Sequence, residues 1–222
     1  LASIRVRPGK PNDRTATTLQ VVPGILCRMN EPLLKSIEIN PANTATAAII
    51  WLHGLGADGH DFEPLIPQLG VVDELGVRVI LPHAPHMPVT VNNGMVMPAW
   101  YDIRGNDFGQ AQDEQGIRTS AARLEALITR ETARGIAPKR IILAGFSQGG
   151  AIALYTGLRH AQRLGGILAL STYLPMAERL AGEADPANRD VPVMMAHGTA
   201  DPVIPINLAD QSRTLLAAHG TP

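Results

Sequence analysis

Cysteine is all but missing from this sequence: 222 residues contain one, Cys27. No internal disulfide can form, which fits a reducing compartment and makes a cytoplasmic address the default expectation. An excess of either charge is missing too. Lys and Arg number 19 against 20 Asp and Glu, a formal net charge of −1, and the basic residues are scattered. That excludes a basic face for nucleic acid and a polybasic cluster for an anionic membrane. No run approaches the roughly 18 uninterrupted apolar residues of a membrane span, so no stable membrane insertion is expected. The first 20 residues carry basic charges without the apolar stretch of a signal peptide. Aromatic residues make up only 4% of the chain.

Hydrophobic residues at 45% and charged residues at 18% describe a chain with enough to bury, and its length suits one domain. Residue 1 is leucine, and residues 1–28 hold no sustained period. Met29 is followed by NEPLLKSIEI, which reads as the start of a protein entering its first strand. Residues 1–28 are therefore expected to be a poorly ordered upstream extension, the other reading being a genuine N-terminal arm. The domain proper is expected over 29–222.

Short apolar runs at 47–53 (AAIIWLH), 77–82 (VRVILP), 140–144 (RIILA), 164–171 and 191–197 are too short for helices and rich in β-branched residues. They read as buried strands. Between them, Ile117, Ala121, Leu124 and Ile128 recur at helical spacing, and Gly135 and Pro138 stop that helix. A last helix is expected to be capped by Asn207, with Leu208, Leu215 and Leu216 inward and Gly220 past its end. Strand, helix, strand repeated this way predicts an α/β fold with a mostly parallel sheet covered on both faces. Residues 83–109 have no period and are long for a connection, the mark of a functional loop or of disorder. Trp100 and Tyr101, in a chain with two Trp and three Tyr, argue against disorder there.

In an open parallel sheet, chemistry gathers at the carboxyl ends of the strands. Ser147 stands there, in LAGFSQGG, just after one strand run and just before a helix-compatible run. GxSxG at such a junction predicts a strained strand-to-helix turn with the hydroxyl exposed. Gly145 and Gly149 are required because a Cβ at either position would strike the neighbouring turn. A tetrahedral oxyanion needs two backbone N–H donors. One is expected from Gln148, the residue after the serine, and the other from Leu55 in HGLG, the loop after the strand AAIIW. His53 is read as a buried strand-end histidine bonding to backbone.

Two other chemistries are tempting. Gly54, Gly56 and Gly59 match GxGxxG. However, the next strand ends in Pro82 and His83 rather than an acid, and Pro64 and Pro67 make a poor start for a phosphate-binding helix, so no dinucleotide is expected. His53, Asp58, His60 and Asp61 cluster, as do His83 and His86, but neither group has metal-ligand spacing.

Five blocks in order, WLHGLGADGHDF, LPHAP with PVTVNNGMVMPAWYDI, LAGFSQGG, LSTYLP and HGTADPVIP, closely resemble the bacterial carboxylesterase and acyl-protein thioesterase family of small serine α/β-hydrolases. The similarity runs from about Ser36 to the end. It implies hydrolysis of carboxylic esters, with thioesters and lysophospholipids as relatives' substrates, no cofactor and no large lid domain. The substrate expected is a small acyl ester, and relatives are often dimers. By the resemblance, Ser147 is the nucleophile, the Leu55 and Gln148 amides hold the oxyanion, and Asp201 in HGTADP is the triad acid, its alternative being a plain Asp-Pro turn. Trp100 either lines the acyl groove or is a core aromatic.

The order on this fold is Ser, Asp, His. After the acid the family has a helix, one more strand and then the histidine, whereas this sequence reaches HGTP after the helix. His219 reads as a helix-end residue, His197 precedes the acid, and His53 sits behind the oxyanion donor, so none fits the relay. The expectation is a hydrolase domain truncated before its last strand and helix. It would lack the base histidine, be close to inactive as it stands, and have apolar sheet surface exposed; the alternative is a non-catalytic acyl-ligand binder.

Overall fold

The computed structural model describes residues 33–105 and 112–221. Six strands form one sheet in the order β1-β3-β2-β6-β7-β8: β1 Ser36–Ile39, β2 Ala47–Leu52, β3 Val77–Pro82, β6 Ile141–Phe146, β7 Gly166–Leu170 and β8 Val193–Ala196. Only β1 runs antiparallel, against β3; the other four pairings are parallel. Among the described residues five α-helices accompany them: α1 Val71–Leu75, α2 Glu114–Ala133, α3 Gln148–Gly157, α4 Leu180–Glu183 and α5 Ile206–His219. The expected upstream extension, residues 1–28, lies outside the described residues. None of the described helices is long and apolar enough to cross a membrane.

The period-two side-chain alternation of the strands sorts the core into two layers. Ala48, Ile50 and Leu52 of β2, with Ile141 and Leu143 of β6, face Ile117, Leu124, Leu127 and Ile128 of α2 and the buried residues of α3. Trp51, Val77, Val79, Leu81 and Ala144 face the other way, onto Ile66 and Val72. Every residue of α3 is buried, which is why its sequence shows no polar face. Towards β8 the second layer thins: Ile142 is 37% exposed and Met194 65%.

Three local expectations change. Residues 86–98 form a small antiparallel ribbon, β4 His86–Val89 with β5 Met95–Pro98, instead of an aperiodic loop. Its turn uses Asn93 and Gly94 at φ 56° and 75°, the conformation Asn-Gly supplies in hairpins. Residues 106–109 of that stretch lie outside the described residues. The last helix starts after Pro205 rather than at an Asn207 cap, because proline's fixed φ and missing N–H already suit a helix start. Its buried face is Ala209, Ser212 and Leu216, while Leu215 is 43% exposed. Gly220 does end it, at φ 96°.

The strand order places the site. From β2 the chain adds β3 and β1 on one side and β6, β7 and β8 on the other, so the direction of winding reverses between β2 and β6. A crevice opens at the carboxyl ends of such a pair. Leu52 pairs with Gly145 there, which brings the HGLG loop and Ser147 side by side.

Candidate active site

Ser147 occupies the turn between β6 and α3 with φ 53° and ψ −121°, a conformation that L-residues avoid and that costs of order 1–3 kcal/mol. The surroundings hold it there. Its N–H donates to Leu170 O at 2.8 Å, and its carbonyl accepts Thr172 Oγ1–H at 2.7 Å and Ala151 N–H at 3.1 Å. The end of β7 therefore grips the serine on both sides, a role that nothing in LSTYLP announces.

The two glycines have different obstacles. A Cβ on Gly145 would lie 2.4 Å from the Gly149 carbonyl carbon and 2.5 Å from Gly150 N, so the turn itself excludes it. A Cβ on Gly149 would lie 2.4 Å from Leu52 O and 2.5 Å from His53 O. The obstacle at Gly149 is thus the end of β2, not the neighbouring turn, because α3 starts in direct contact with that strand.

The HGLG loop abuts the serine: a methyl group on Gly54 would stand 3.5 Å from Ser147 Cβ. Leu55, Ser147 and Gln148 line one cavity of about 700 Å³. Gly56 N–H donates to Pro98 O at 2.9 Å, but the N–H groups of Leu55 and Gln148 have no acceptor among the described residues. An N–H at the first position of a helix has no intrahelical partner, so Gln148 is a donor by construction. The remaining walls come from Val91, Ile103, Tyr101, Tyr173 and the loop 202–205. The Tyr101 and Tyr173 hydroxyls bond each other at 3.1 Å, and burial pushes both pKa values above the ordinary tyrosine value. Neither was picked out as a site residue from sequence, although both stand in the blocks WYDI and STYLP.

Trp100 does not line this cavity. It is 1% exposed, its indole donates to His53 O at 2.8 Å, and its own N–H donates to Gln148 Oε1 at 2.8 Å. It packs within the buried cluster that includes Ile117 and Leu124 of α2.

Asp201 follows β8 on the loop that forms the cavity's far wall. Its Oδ1 accepts Val203 N–H at 2.8 Å and Ile204 N–H at 3.0 Å. The Ile204 and Val203 amides hold its pKa below the ordinary aspartate value.

Five of the described histidines have hydrogen-bond partners away from Ser147. His197 Nε2–H donates to Ile204 O at 2.8 Å and lies 3.6 Å from Asp201 Oδ2. His53 bonds backbone through both ring nitrogens, as expected, and burial lowers its pKa. His60 pairs with Glu63 and His160 with Glu125, each through Nδ1, and His83 Nδ1 accepts Gly59 N–H. His219 ends α5. None bonds Ser147 Oγ. Among the described residues no three His, Cys, Asp or Glu side chains converge as metal ligands. After Gly59 come only short 3-10 turns, Gly59–Asp61 and Glu63–Leu69, so no phosphate-binding helix starts at GLGADG.

Residues 35–221 match a protein-family model described as Phospholipase/Carboxylesterase. The chain is 42% identical over 189 residues to acyl-protein thioesterase 1 of Gibberella zeae, covering 81% of this chain and 80% of that protein. Identity to acyl-protein thioesterase 1 of Schizosaccharomyces pombe is 40% over 183 residues, with 82% and 81% covered. Among solved structures, Zea mays acyl-protein thioesterase 2 superposes with a TM-score of 0.73 at 30% identity, covering 84% of this chain and 85% of that one. Arabidopsis thaliana SOBER1 gives a TM-score of 0.74 at 30% identity, with 79% and 84% covered. With a matching fold, a strained serine at the expected strand end and relatives at this level of identity, the chain belongs to the phospholipase/carboxylesterase family of α/β-hydrolases, enzymes that cleave esters and thioesters.

Proposed function

We propose that Ser147 is the nucleophile of an acyl-transfer esterase acting on small acyl esters, thioesters and lysophospholipid esters among them. The observation that carries this reading is that Leu55 and Gln148, whose N–H groups have no acceptor among the described residues, line the same cavity as a serine held in strained geometry. Donors already in place cost no reorganisation when charge develops on the substrate oxygen.

In the first step Ser147 Oγ attacks the acyl carbonyl carbon, its proton leaves to a base, and the carbonyl oxygen takes the negative charge between the two amides. Collapse expels the alcohol or thiol, which takes up the proton, and leaves the acyl group on Oγ. Water then repeats the sequence and frees the acid. By the family resemblance Asp201 is the acid that orients an imidazolium, but none of the described histidines bonds Ser147 Oγ to take the proton. The apolar wall of Val91, Ile103, Val203 and Ile204 suits the acyl chain.

The proton step separates this reading from a second one. Because no described histidine bonds Ser147 Oγ, the cavity also suits an acyl-ligand binder without turnover. Mixing the chain with p-nitrophenyl butyrate decides between them. The esterase reading expects nitrophenol release that is slow, because no described histidine bonds Ser147 Oγ, and that is lost in Ser147→Ala. Saturable ester binding without nitrophenol release supports the binder. Turnover untouched by Ser147→Ala refutes both.

A further inference from the structure

Two donors that converge on one oxygen must keep a fixed direction and spacing, yet Leu55 and Gln148 belong to loops after different strands. The side chains between them form a buried hydrogen-bonded chain. His53 Nδ1 contacts Gly54 O at 2.7 Å, and His53 Nε2 contacts Ala84 N at 3.0 Å. A backbone N–H can only donate, so Nε2 carries the lone pair and the proton is on Nδ1, donating to Gly54 O. In a trans peptide the carbonyl and the following N–H point in opposite directions, and no described peptide is cis. Gly54 O, which also accepts Ala57 N–H at 3.3 Å, is thus anchored on the imidazole, and this turns Leu55 N–H away from that ring; Leu55 itself lines the cavity.

The chain continues. Trp100 Nε1–H donates to His53 O at 2.8 Å, with the two rings 5.2 Å apart. Trp100 N–H donates to Gln148 Oε1 at 2.8 Å, and Gln148 Nε2–H donates to Tyr101 O at 2.6 Å. The Gln148 side chain thus clamps the two-residue segment Trp100–Tyr101 at its first N–H and its last carbonyl, while its own backbone N–H is the second donor. His53, Trp100 and Gln148 are all buried, so water cannot replace these bonds.

We infer that His53, Trp100 and the Gln148 side chain are positioning residues that brace the oxyanion hole: the imidazole sets the direction of the Leu55 N–H, and the indole and carboxamide set its spacing from the Gln148 N–H. This rests on the esterase reading. It differs from a mere packing role in what it protects, which is affinity for a tetrahedral anion rather than for a planar neutral ligand.

The test uses phenylboronic acid, whose boron accepts Ser147 Oγ as a proton is released and so mimics the anion, alongside benzamide, its planar uncharged counterpart. Trp100→Phe removes the indole N–H and keeps a ring; His53→Leu removes the imidazole donor. Each is expected to weaken boronate affinity about tenfold, below the loss for deleting a donor outright, with benzamide affinity held within about twofold. His53→Asn, whose amide N–H can stand where Nδ1–H stood, is expected to recover most of the loss. Nitrogen NMR of the His53 ring should show the neutral Nδ1-protonated form in the unmodified chain, a measurement that needs no variant to fold. An Nε2-protonated ring, unchanged boronate affinity, or equal weakening of both ligands overturns the brace. If the unmodified chain forms no boronate adduct at Ser147, the esterase reading itself falls and the brace with it; an adduct that the variants leave untouched sinks the brace alone.

Discussion

The two edges of the sheet are built to opposite ends. At the amino edge, buried Glu131 of α2 meets Arg78 at 2.7 Å, Arg130 at 2.9 Å and Arg134 at 3.1 Å, and Glu38 of β1 takes further bonds from Arg130 and Arg134 at 2.8 Å. Arg140, just before β6, ties back to Thr46, just before β2. At the carboxyl edge Ser147, Ser171 and Met176 hold positive φ, and Leu55 and Gln148, whose N–H groups have no acceptor among the described residues, line a cavity. One edge spends its polar groups on one another. The other leaves donors open and backbone strained. Stability and chemistry are thereby separated across the length of a strand, so each can be perturbed with little effect on the other.

The largest way to break that separation is Gly149→Ala. Its methyl would meet two backbone oxygens of β2, so α3 must move off the strand, at about 3 kcal/mol or more. Urea unfolding should record the loss, and the displaced Gln148 amide should lower esterase activity with it. Glu131→Gln should damage the amino edge alone. It leaves three arginines around a neutral group, at about 3 kcal/mol, the low end for a broken buried pair because the arginines reach solvent. Any activity per folded molecule should be unchanged, and an equal fall in activity would contradict the separation.

Ser147→Gly sharpens the comparison in the opposite direction. Glycine tolerates φ 53°, so losing the nucleophile should raise stability by about 1 kcal/mol. A destabilised Ser147→Gly would mean the turn stores no strain.

The smallest effect expected is a pH dependence. Asp201 has a depressed pKa in the folded chain, so the stability it contributes is complete above the ordinary aspartate value and is lost as pH falls below it through the depressed value. The urea midpoint of the unmodified chain should drop in that acidic window more than that of Asp201→Asn. Above it the two curves should run parallel.

How much of this was legible depends on the range of the interaction. Ser147 could be read because strand, tight turn and helix are contiguous, and only glycine fits at 145. The Asn-Gly turn of the β4–β5 ribbon is equally local, but two prolines and a lack of alternation mask its short strands. Pro205 outweighed Asn207 as the helix start for a reason also local to the chain. Trp100 was not legible. An aromatic in a long connection carries the same letter whether it lines a cavity or, as here, donates to a carbonyl 47 residues away. The grip of Leu170 and Thr172 on Ser147, and the tyrosine pair in the wall, likewise join segments that the sequence keeps far apart.

By itself the sequence determined the alternation of strands and helices, the glycines around Ser147 and the family to which the chain belongs, since each depends on neighbours along the chain or on blocks in order. Only the tertiary structure decided that the winding reverses between β2 and β6, that Leu55 and Gln148 open on one cavity, and that Asp201 is held by its own loop. Those facts depend on distances between strand ends, and such distances are set by how the sheet and its helices pack.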